Sequence, residues 1–279
     1  MSLLNDSIDL VVLIVVALVP ALLYLSWVRR SEAYGTQAWG SLLGAFAYGA
    51  VFATFTAAIV ETVIVAVGTS VSQNYPGPEF LFLNGSSPAG AFFLVLVVAP
   101  FVEEALKAAG VVSRKGLIRQ LADGPVIGSS VGLGFGFFET FLYGLGAWFV
   151  GGLEAGIALI AIRSVSSVLL HGSSTGMFGY GYARSKFGRG GAGSGSYYLV
   201  AVAMHASFNA LASLAAILPF LGVTGVAVDA ASLIALAAAI AFAFLAIEHV
   251  RSIIQSSDYP ALLGPSRYRP AGGRPPSTR

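Results

Sequence analysis

The stretch Ala99-Pro100-Phe101-Val102-Glu103-Glu104-Ala105-Leu106-Lys107 lies inside an apolar run, from about Gly90 to Val112, that is long enough to cross a bilayer. Each charged side chain placed there costs about 2.5–3.5 kcal/mol on insertion scales. Such groups persist when they face a bundle interior, find partners or perform chemistry. Pro100 removes a backbone hydrogen bond and bends the helix just before the glutamate pair, which makes room for water or substrate. The stretch therefore predicts an active site within a membrane.

The composition is that of a membrane protein. Of the 279 residues, 56% are hydrophobic and 10% are charged, and the mean hydropathy is +0.82, whereas soluble domains carry about 25% charged residues. The absence of cysteine excludes disulfides and thiolate metal sites. The chain has three histidines, so a metal site would combine histidine with carboxylates.

Seven apolar runs reach the ~20 residues that a spanning helix needs: about Ile8–Val28, Leu42–Val67, Gly90–Val112, Pro125–Val150, Ala155–Tyr180, Tyr197–Leu218 and Val226–Val250. Lys and Arg fall in every second connector, beginning with Arg29 and Arg30. Because basic connectors stay in the cytoplasm, the sequence predicts an all-α, polytopic transmembrane helix bundle of about seven spans. The N-terminus is expected outside, the C-terminus in the cytoplasm, and the protein in the cell membrane.

One transmembrane helical domain is expected over residues 1–255. The residues that follow, 256–279, are polar and rich in Pro, Gly and Arg, a composition that buries too little apolar surface to fold. We therefore expect a disordered cytoplasmic tail there.

Ionisable side chains gather at one depth in the predicted spans. Glu103 lies a little past the middle of the third span, Glu139 near the middle of the fourth, and His171 just past the middle of the fifth. His205 lies roughly 12 Å from the cytoplasmic start of the sixth span. Ionisable groups within a membrane are functional by default, and independent structural groups have no reason to share a depth. The sequence therefore predicts one cavity that four helices line.

The spacing of these residues predicts their partners. Lys107 follows Glu103 by four residues and Glu104 by three, so it can reach either carboxylate. The two glutamates point about 100° apart, so one faces the cavity while the other braces the site, and the sequence leaves open which. His205 and Asn209 are four residues apart and share a helix face.

Two further features concern helix packing. A ridge of small residues, Gly128, Gly132 and Gly136, lets a neighbouring helix approach the fourth span closely. Glu61 and Arg163 both fall in the outer halves of their spans, and we expect them to form a structural ion pair.

Two kinds of water activation fit these residues. His171 and His205, with a carboxylate such as Glu139, can hold Zn²⁺ and leave a position open for water. Alternatively, Glu103 is the base of a metal-free mechanism, while His205 and Asn209 stabilise an oxyanion. The spans lack the H-E-x-x-H pattern of many zinc proteases, which favours the metal-free route, but both routes stay open.

Four short motifs follow one another on successive spans, over about Pro100 to Leu211. Glu103-Glu104-Ala-Leu-Lys107 resembles the E-E-x-x-K motif of the PrsW family of intramembrane proteases, and Phe135-Gly-Phe-Phe-Glu139 resembles its F-x-x-x-E motif. The stretch Arg163 to His171 resembles the third motif, an arginine leading to a histidine, and His205-Ala-Ser-Phe-Asn209 resembles the last, H-x-x-x-N. Each motif alone is weak, but together, in order and at membrane depth, they are specific.

The wider group contains CAAX prenyl endopeptidases and bacteriocin-processing proteins, which usually carry E-E-x-x-x-R and F-x-x-x-H. Here Lys107 comes one residue earlier and Glu139 replaces the histidine, so the resemblance points to the PrsW branch. It implies an intramembrane endopeptidase, of metallo or glutamic type, whose motif core is residues 100–211. Depth, spacing and resemblance together predict as catalytic residues Glu103, Glu104, Lys107, Glu139, His171, His205 and Asn209.

The alternative function from another class is a proton-coupled membrane transporter or channel, because buried Glu, His and Lys also form proton relays. Transporters often show inverted repeats with broken helices in both halves, and no halves of this chain match. As partners of a protease we expect the lipid bilayer and a membrane-anchored protein substrate, and no nucleic acid.

Overall fold

The computed structural model describes residues 3–75 and 77–258, and this part of the chain is helical, without a strand. Its helices are α1 Leu3–Arg29, α2 Trp39–Ala47, α3 Thr54–Asn74, α4 Pro88–Phe93, α5 Ala99–Ser113, α6 Asp123–Ser164, α7 Ser167–Lys186, α8 Ser194–Ala212, α9 Leu214–Phe220 and α10 Val226–Ser257. Two π-helical turns, Tyr48–Ala53 and Leu94–Val98, and a 3-10 helix, Pro78–Leu83, lie between them. The predicted all-α class is confirmed.

Five segments of the described chain are helical, long and apolar enough to cross a membrane, or six if the bent pair α8 and α9 forms one span. One of the five, residues 123–186, turns at Gly152, whose φ of 79° and ψ of −176° suit glycine alone. Its two arms pack antiparallel, since Gly128 lies against Thr175 and Gly144 against Ile160. This α6–α7 hairpin covers two of the predicted spans. The count of seven and the orientation of the two ends stay predictions.

The last helix ends close to the predicted domain boundary. α10 runs to Ser257, just beyond the boundary expected at residue 255, and the next residue, Asp258, accepts a hydrogen bond from the backbone of Tyr34 at 2.9 Å. Residues 259–279, which hold nearly all of the predicted tail, lie outside the described residues. The single domain and its tail therefore stay predictions.

The α6–α7 hairpin is the centre of the bundle, and α1, α5, α8 and α10 pack against it. Its arms approach closely because α6 presents glycine where they meet. A Cβ on Gly128 would meet the carbonyl oxygen of Thr175, and one on Gly132 would meet that of His171. The predicted glycine ridge is confirmed, and the close packing sets Glu139 of α6 beside the ring of His171.

The π-helical turn before Pro100 shows how the helix accommodates a proline. The N–H of Ala99 donates to the carbonyl of Leu94, five residues back. Pro100 has no N–H to offer to the next carbonyl, that of Val95. The side-chain amide of Asn209 on α8 donates to this Val95 oxygen at 2.9 Å instead. The proline thus frees a carbonyl that ties α8 to the π-helical turn before α5.

The loop between α1 and α2 holds a buried carboxylate outside the membrane-spanning helices. Glu32 is 4% exposed, and it accepts a hydrogen bond from the backbone N–H of Gln37 at 2.8 Å. Burial is the main cause that raises the pKa of Glu32 to about 8, and the negative charges of Asp123 and Asp258 raise it further. The hydrogen bond from Gln37 and the positive charge of Arg29 lower the pKa and so oppose the shift. The raised pKa favours the protonated form of this carboxyl group in the folded protein near neutral pH.

A pH dependence of stability follows from Glu32. Its pKa is about 8 in the folded chain against an ordinary value of 4.5, so the folded state holds a proton that the unfolded state releases. This stabilisation is complete below pH 4.5 and is lost as the pH rises through 8. We expect the free energy of unfolding to fall by on the order of 2 kcal/mol between pH 6 and 9, and by less in Glu32→Gln. Thermal melting in detergent measures both.

The matched control for this prediction is Glu154→Gln, which changes an exposed carboxylate of the same chain. It should keep the pH slope of the wild type. Equal slopes in the wild type and in Glu32→Gln would contradict the assignment.

Candidate active site

A cavity of about 420 Å³ lies among α3, α5, the α6–α7 hairpin and α8. The structure brings Glu103, Glu139, His171 and His205 together beside it, as their shared depth led us to expect. The polar and aromatic residues that line it are Thr54, Glu61, Glu103, Phe135, Glu139, Tyr143, Arg163, Ser167, His171, Phe208, Asn209 and Ser213.

Glu104 is the bracing member of the glutamate pair. Its Oε1 accepts from Lys107 Nζ at 2.8 Å, from Ser174 Oγ at 3.0 Å and from His205 Nδ1 at 3.1 Å. Its Oε2 lies 3.4 Å from Thr175 Oγ1. With 1% exposure and four donors from the protein, this carboxylate is held within the bundle and is closed off from the cavity.

Glu103 is the member that faces the cavity. It lines the cavity wall, whereas Glu104 does not. Its Oε2 is 3.3 Å from Lys107 Nζ, a longer contact than the one that Lys107 makes with Glu104. The expected division between a cavity-facing and a bracing carboxylate is therefore present, with Glu103 in the first position.

His171 and His205 each place one ring nitrogen on a carboxylate and the other toward Glu103. His171 Nε2 lies 2.8 Å from Glu139 Oε2, and His205 Nδ1 lies 3.1 Å from Glu104 Oε1. Because carboxylates accept, these nitrogens carry the protons, and His171 Nδ1 and His205 Nε2 keep their lone pairs. Those two nitrogens lie 4.0 and 3.9 Å from Glu103 Oε2. Two lone pairs and one carboxylate oxygen thus converge.

This arrangement fits a metal ion. One ligand atom each of Glu103, His171 and His205 lies within 4.8 Å of the other two. Two histidines and a carboxylate form the ligand set of several catalytic zinc sites. Histidines that bind a metal usually donate their other N–H to a carboxylate or carbonyl, as both do here. In this group the carboxylate is that of Glu103, whereas the sequence predicted Glu139 as a ligand. A ligand role for Glu139 stays a prediction.

Lys107 lies at the centre of the cluster. Its ammonium is fully buried, 2.8 Å from His171 Nδ1 and from Glu104 Oε1, and 4.2 Å from the centre of the Phe135 ring. The ammonium contacts the same lone pair of His171 that a metal ion would use. A metal ion and Lys107 would therefore compete for that nitrogen.

The prediction that Glu61 and Arg163 form a structural ion pair is wrong. Arg163 instead donates to Glu139 Oε2 at 2.7 Å and to Ser167 Oγ at 2.9 Å. The physical reason is the hairpin, whose close arms set Arg163 across from Glu139, and the ring of Tyr143 lies 3.9 Å from the guanidinium centre. Arg163 thus belongs to the site, where it holds the carboxylate that orients His171.

Three hydroxyl residues of the site were missed by the sequence analysis. Ser174 and Thr175 donate to Glu104, and Ser167 lies 3.4 Å from Glu139. Their spacing was the available signal: Ser167 precedes His171 by one helical turn, and Ser174 follows it by three residues. The frequency of Ser and Thr in membrane helices makes such a signal weak.

The close approach at Gly132 yields a prediction about the site. In Gly132→Ala the new methyl group would fall on the backbone of His171, so α7 must shift and carry the imidazole away from Glu103. We expect a cost of about 1–3 kcal/mol from overpacking and a loss of cleavage of at least about 10-fold. Melting temperature and cleavage rate in detergent report the two effects.

Gly146→Ala is the matched control, because the same change on the same helix places its Cβ in open space. It should leave the melting temperature and the rate close to those of the wild type. If both alanine variants behaved alike, helix propensity rather than the close approach would be responsible.

Comparison with known proteins gives one match. The sequence model described as PrsW family intramembrane metalloprotease matches residues 37–247, which include every residue of the cluster described above. Searches of curated proteins and of solved structures found no match. Because the matched residues make up most of the chain, and because its helices carry the buried glutamates and histidines in the order of the motifs, this multi-pass membrane protein belongs to the PrsW family of intramembrane metalloproteases and is a peptidase.

Proposed function

We propose that the protein cleaves membrane-anchored proteins within the bilayer by means of water activated at Glu103. The observation that carries this proposal is the convergence of Glu103, His171 and His205, from three helices, beside a cavity that has room for water and a short stretch of peptide. Membership of the family supports the reaction class.

Glu103 is the proposed base, because its carboxylate lines the cavity while that of Glu104 is already occupied by four donors. It takes a proton from the attacking water and returns it to the amine that leaves. Lys107 holds both carboxylates in place and limits the repulsion between them.

Glu139 and Glu104 are the proposed orienting groups for the two histidines. Each accepts the N–H of one ring, which fixes the tautomer of that histidine. The other ring nitrogen then lies about 4 Å from Glu103 Oε2, and that of His171 also contacts Lys107. Arg163 in turn fixes Glu139 at 2.7 Å.

A metal ion would be held by Glu103, His171 and His205. When bound there, an ion such as Zn²⁺ supplies Lewis acidity, which makes a water molecule acidic enough to lose a proton near neutral pH. Without a metal ion Glu103 is the base; with one bound, its carboxylate would serve as a ligand. In both routes the histidines keep the orientation that their carboxylate partners impose.

Asn209 is the proposed donor to the developing oxyanion. It lines the cavity, and one N–H of its amide is bonded to Val95 while the second is left to face the substrate carbonyl. His205 donates its Nδ1–H to Glu104 Oε1, so within the predicted pair the Asn209 amide is the donor to the oxyanion.

The test uses purified protein in liposomes and a library of single-span membrane proteins, with cleavage products identified by mass spectrometry. Wild type, His205→Ala and Glu154→Gln are run in parallel, each with and without a strong chelator. We expect cleavage by the wild type and by the exposed-surface control, and at least about 100-fold slower cleavage by His205→Ala.

The reactions with and without the chelator distinguish water activation by a metal ion from metal-free activation by Glu103. Loss of cleavage with the chelator and recovery with added Zn²⁺ would identify a metal enzyme, which is the result expected from the three converging ligands. Cleavage that persists at the wild-type rate would identify the metal-free glutamate route. Equal cleavage in the wild type and in His205→Ala would overturn the proposed site. A proton-coupled transporter, the alternative from the sequence, is disfavoured by membership of a peptidase family.

A further inference from the structure

The mechanism above leaves one carboxylate of the cavity without a task. Glu61 on α3 lines the cavity, and its Oε1 is buried with no hydrogen-bond partner among the described residues. A carboxyl group in a membrane-spanning helix is costly, and a buried polar atom without a partner in a native protein calls for an explanation.

The cations of the site do not supply a partner for Glu61. The ammonium of Lys107 is shared by Glu103 and Glu104, and the guanidinium of Arg163 is bonded to Glu139 and Ser167. Among the described residues the site therefore holds more carboxyl groups than cations, and Glu61 is the carboxyl group of the cavity wall that no cation contacts.

The position of Glu61 relates it to the reacting groups. Ala57 packs with Phe135, whose ring lies under the Lys107 ammonium, so Ala57 marks the level of the catalytic cluster. Glu61 follows Ala57 by one turn, which is about 6 Å toward the Asn74 end of α3. In an extended peptide about 6 Å corresponds to two residues.

We propose that Glu61 forms a subsite for a basic side chain of the substrate, a Lys or Arg about two residues from the scissile bond on the side toward Asn74. This rests on the proposed function, since it names the substrate class of the same cavity. A cationic side chain supplies the donor that Glu61 lacks, and the carboxylate supplies the counter-charge that a lysine or arginine needs at membrane depth.

The experiment separates binding from hydrolysis. It uses the full chain carrying Glu103→Gln, in detergent, and single-span peptides that carry a photo-crosslinker. The peptides form sets of three that are identical except at one position, which is Lys, Gln or Glu, and this position is moved along the peptide from set to set. We expect the best Lys peptide to crosslink about 10-fold or more better than its Gln twin. The preference should disappear when Glu61→Gln is added, and Glu61→Lys should favour the Glu peptide.

Two readouts distinguish a substrate subsite from a structural role. No hydrogen bond of Glu61 is found within the described part of the chain. Glu61→Gln should therefore not lower the melting temperature, whereas the loss of a structural carboxylate would. Glu154→Gln, a carboxylate exposed on the surface, should keep the Lys preference. Equal crosslinking of Lys and Gln peptides, or a preference that survives Glu61→Gln, would overturn the subsite. Because this background needs no hydrolysis, failure of the proposed protease chemistry would appear in the cleavage assay and not here.

Discussion

Glu103→Gln is expected to lower the rate of peptide cleavage by about 10²- to 10⁴-fold, the range that a lost general base produces. The amide has the size of the carboxylate and can accept hydrogen bonds, but it cannot take a proton from water. It also replaces one of the three converging ligand groups, a carboxylate, by a neutral amide that binds metal ions more weakly, so the loss is expected whether or not a metal ion takes part. Cleavage of a single-span substrate by purified protein in liposomes measures it.

Stability is the control for this prediction. Glu103 is on the cavity wall and has a longer contact with Lys107 than Glu104 has, 3.3 against 2.8 Å, so its substitution should change the melting temperature little. Glu154→Gln makes the same chemical change at the surface and should cleave as the wild type does. A Glu103→Gln enzyme within about 3-fold of the wild-type rate would refute the base, since general bases contribute far more.

Lys107→Met is expected to have the largest effect on folding. The ammonium is fully buried and contacts Glu103, Glu104 and His171. Methionine has a similar length and no charge, so the variant leaves buried carboxylates without their cation, a change that costs about 3–5 kcal/mol. Thermal melting in detergent should show a large decrease, and cleavage should be lost as the two glutamates separate.

A double variant tests whether charge is the cause. In Lys107→Met with Glu104→Gln the most deeply buried uncompensated carboxylate is also removed, so part of the lost stability should return while cleavage stays absent. Such non-additivity is typical of groups in direct contact. If the double variant were as unstable as the sum of the two single variants, packing of the Lys107 stem, and not its charge, would explain the loss.

The cluster of the candidate active site could largely be predicted from the sequence, because in a helix the spacing of two residues fixes the directions in which their side chains point. Three and four residues separate Lys107 from the two glutamates, and the distances of 2.8 and 3.3 Å follow from that spacing. Shared depth placed His171 and His205 at the same cavity, since span boundaries are set by apolar runs that any reader of the sequence can measure.

The contacts between helices that are distant in the sequence could not be predicted from residue spacing. The partner of Arg163 depends on how two helices rotate about their axes, and the wrong choice of Glu61 came from depth alone. Depth fixes one coordinate of a side chain, while the rotation of each helix is set by packing, here by the glycines that bring α6 against α7. The π-helical turn before Pro100 was likewise beyond the sequence, which indicated a bend but not which carbonyl it would free.

The turn at Gly152 has a consequence for biosynthesis. It joins two neighbouring arms that meet through contacts close in sequence, and those contacts form early because little chain entropy is lost in closing short loops. One wall of the site, with Glu139, Arg163 and His171, is therefore assembled by a local hairpin that needs no later helix. Glu103 and His205 come from helices on either side of it in the chain. A nascent protein can form this wall before the ribosome has finished α8, and the cluster is complete only when His205 of α8 has been made.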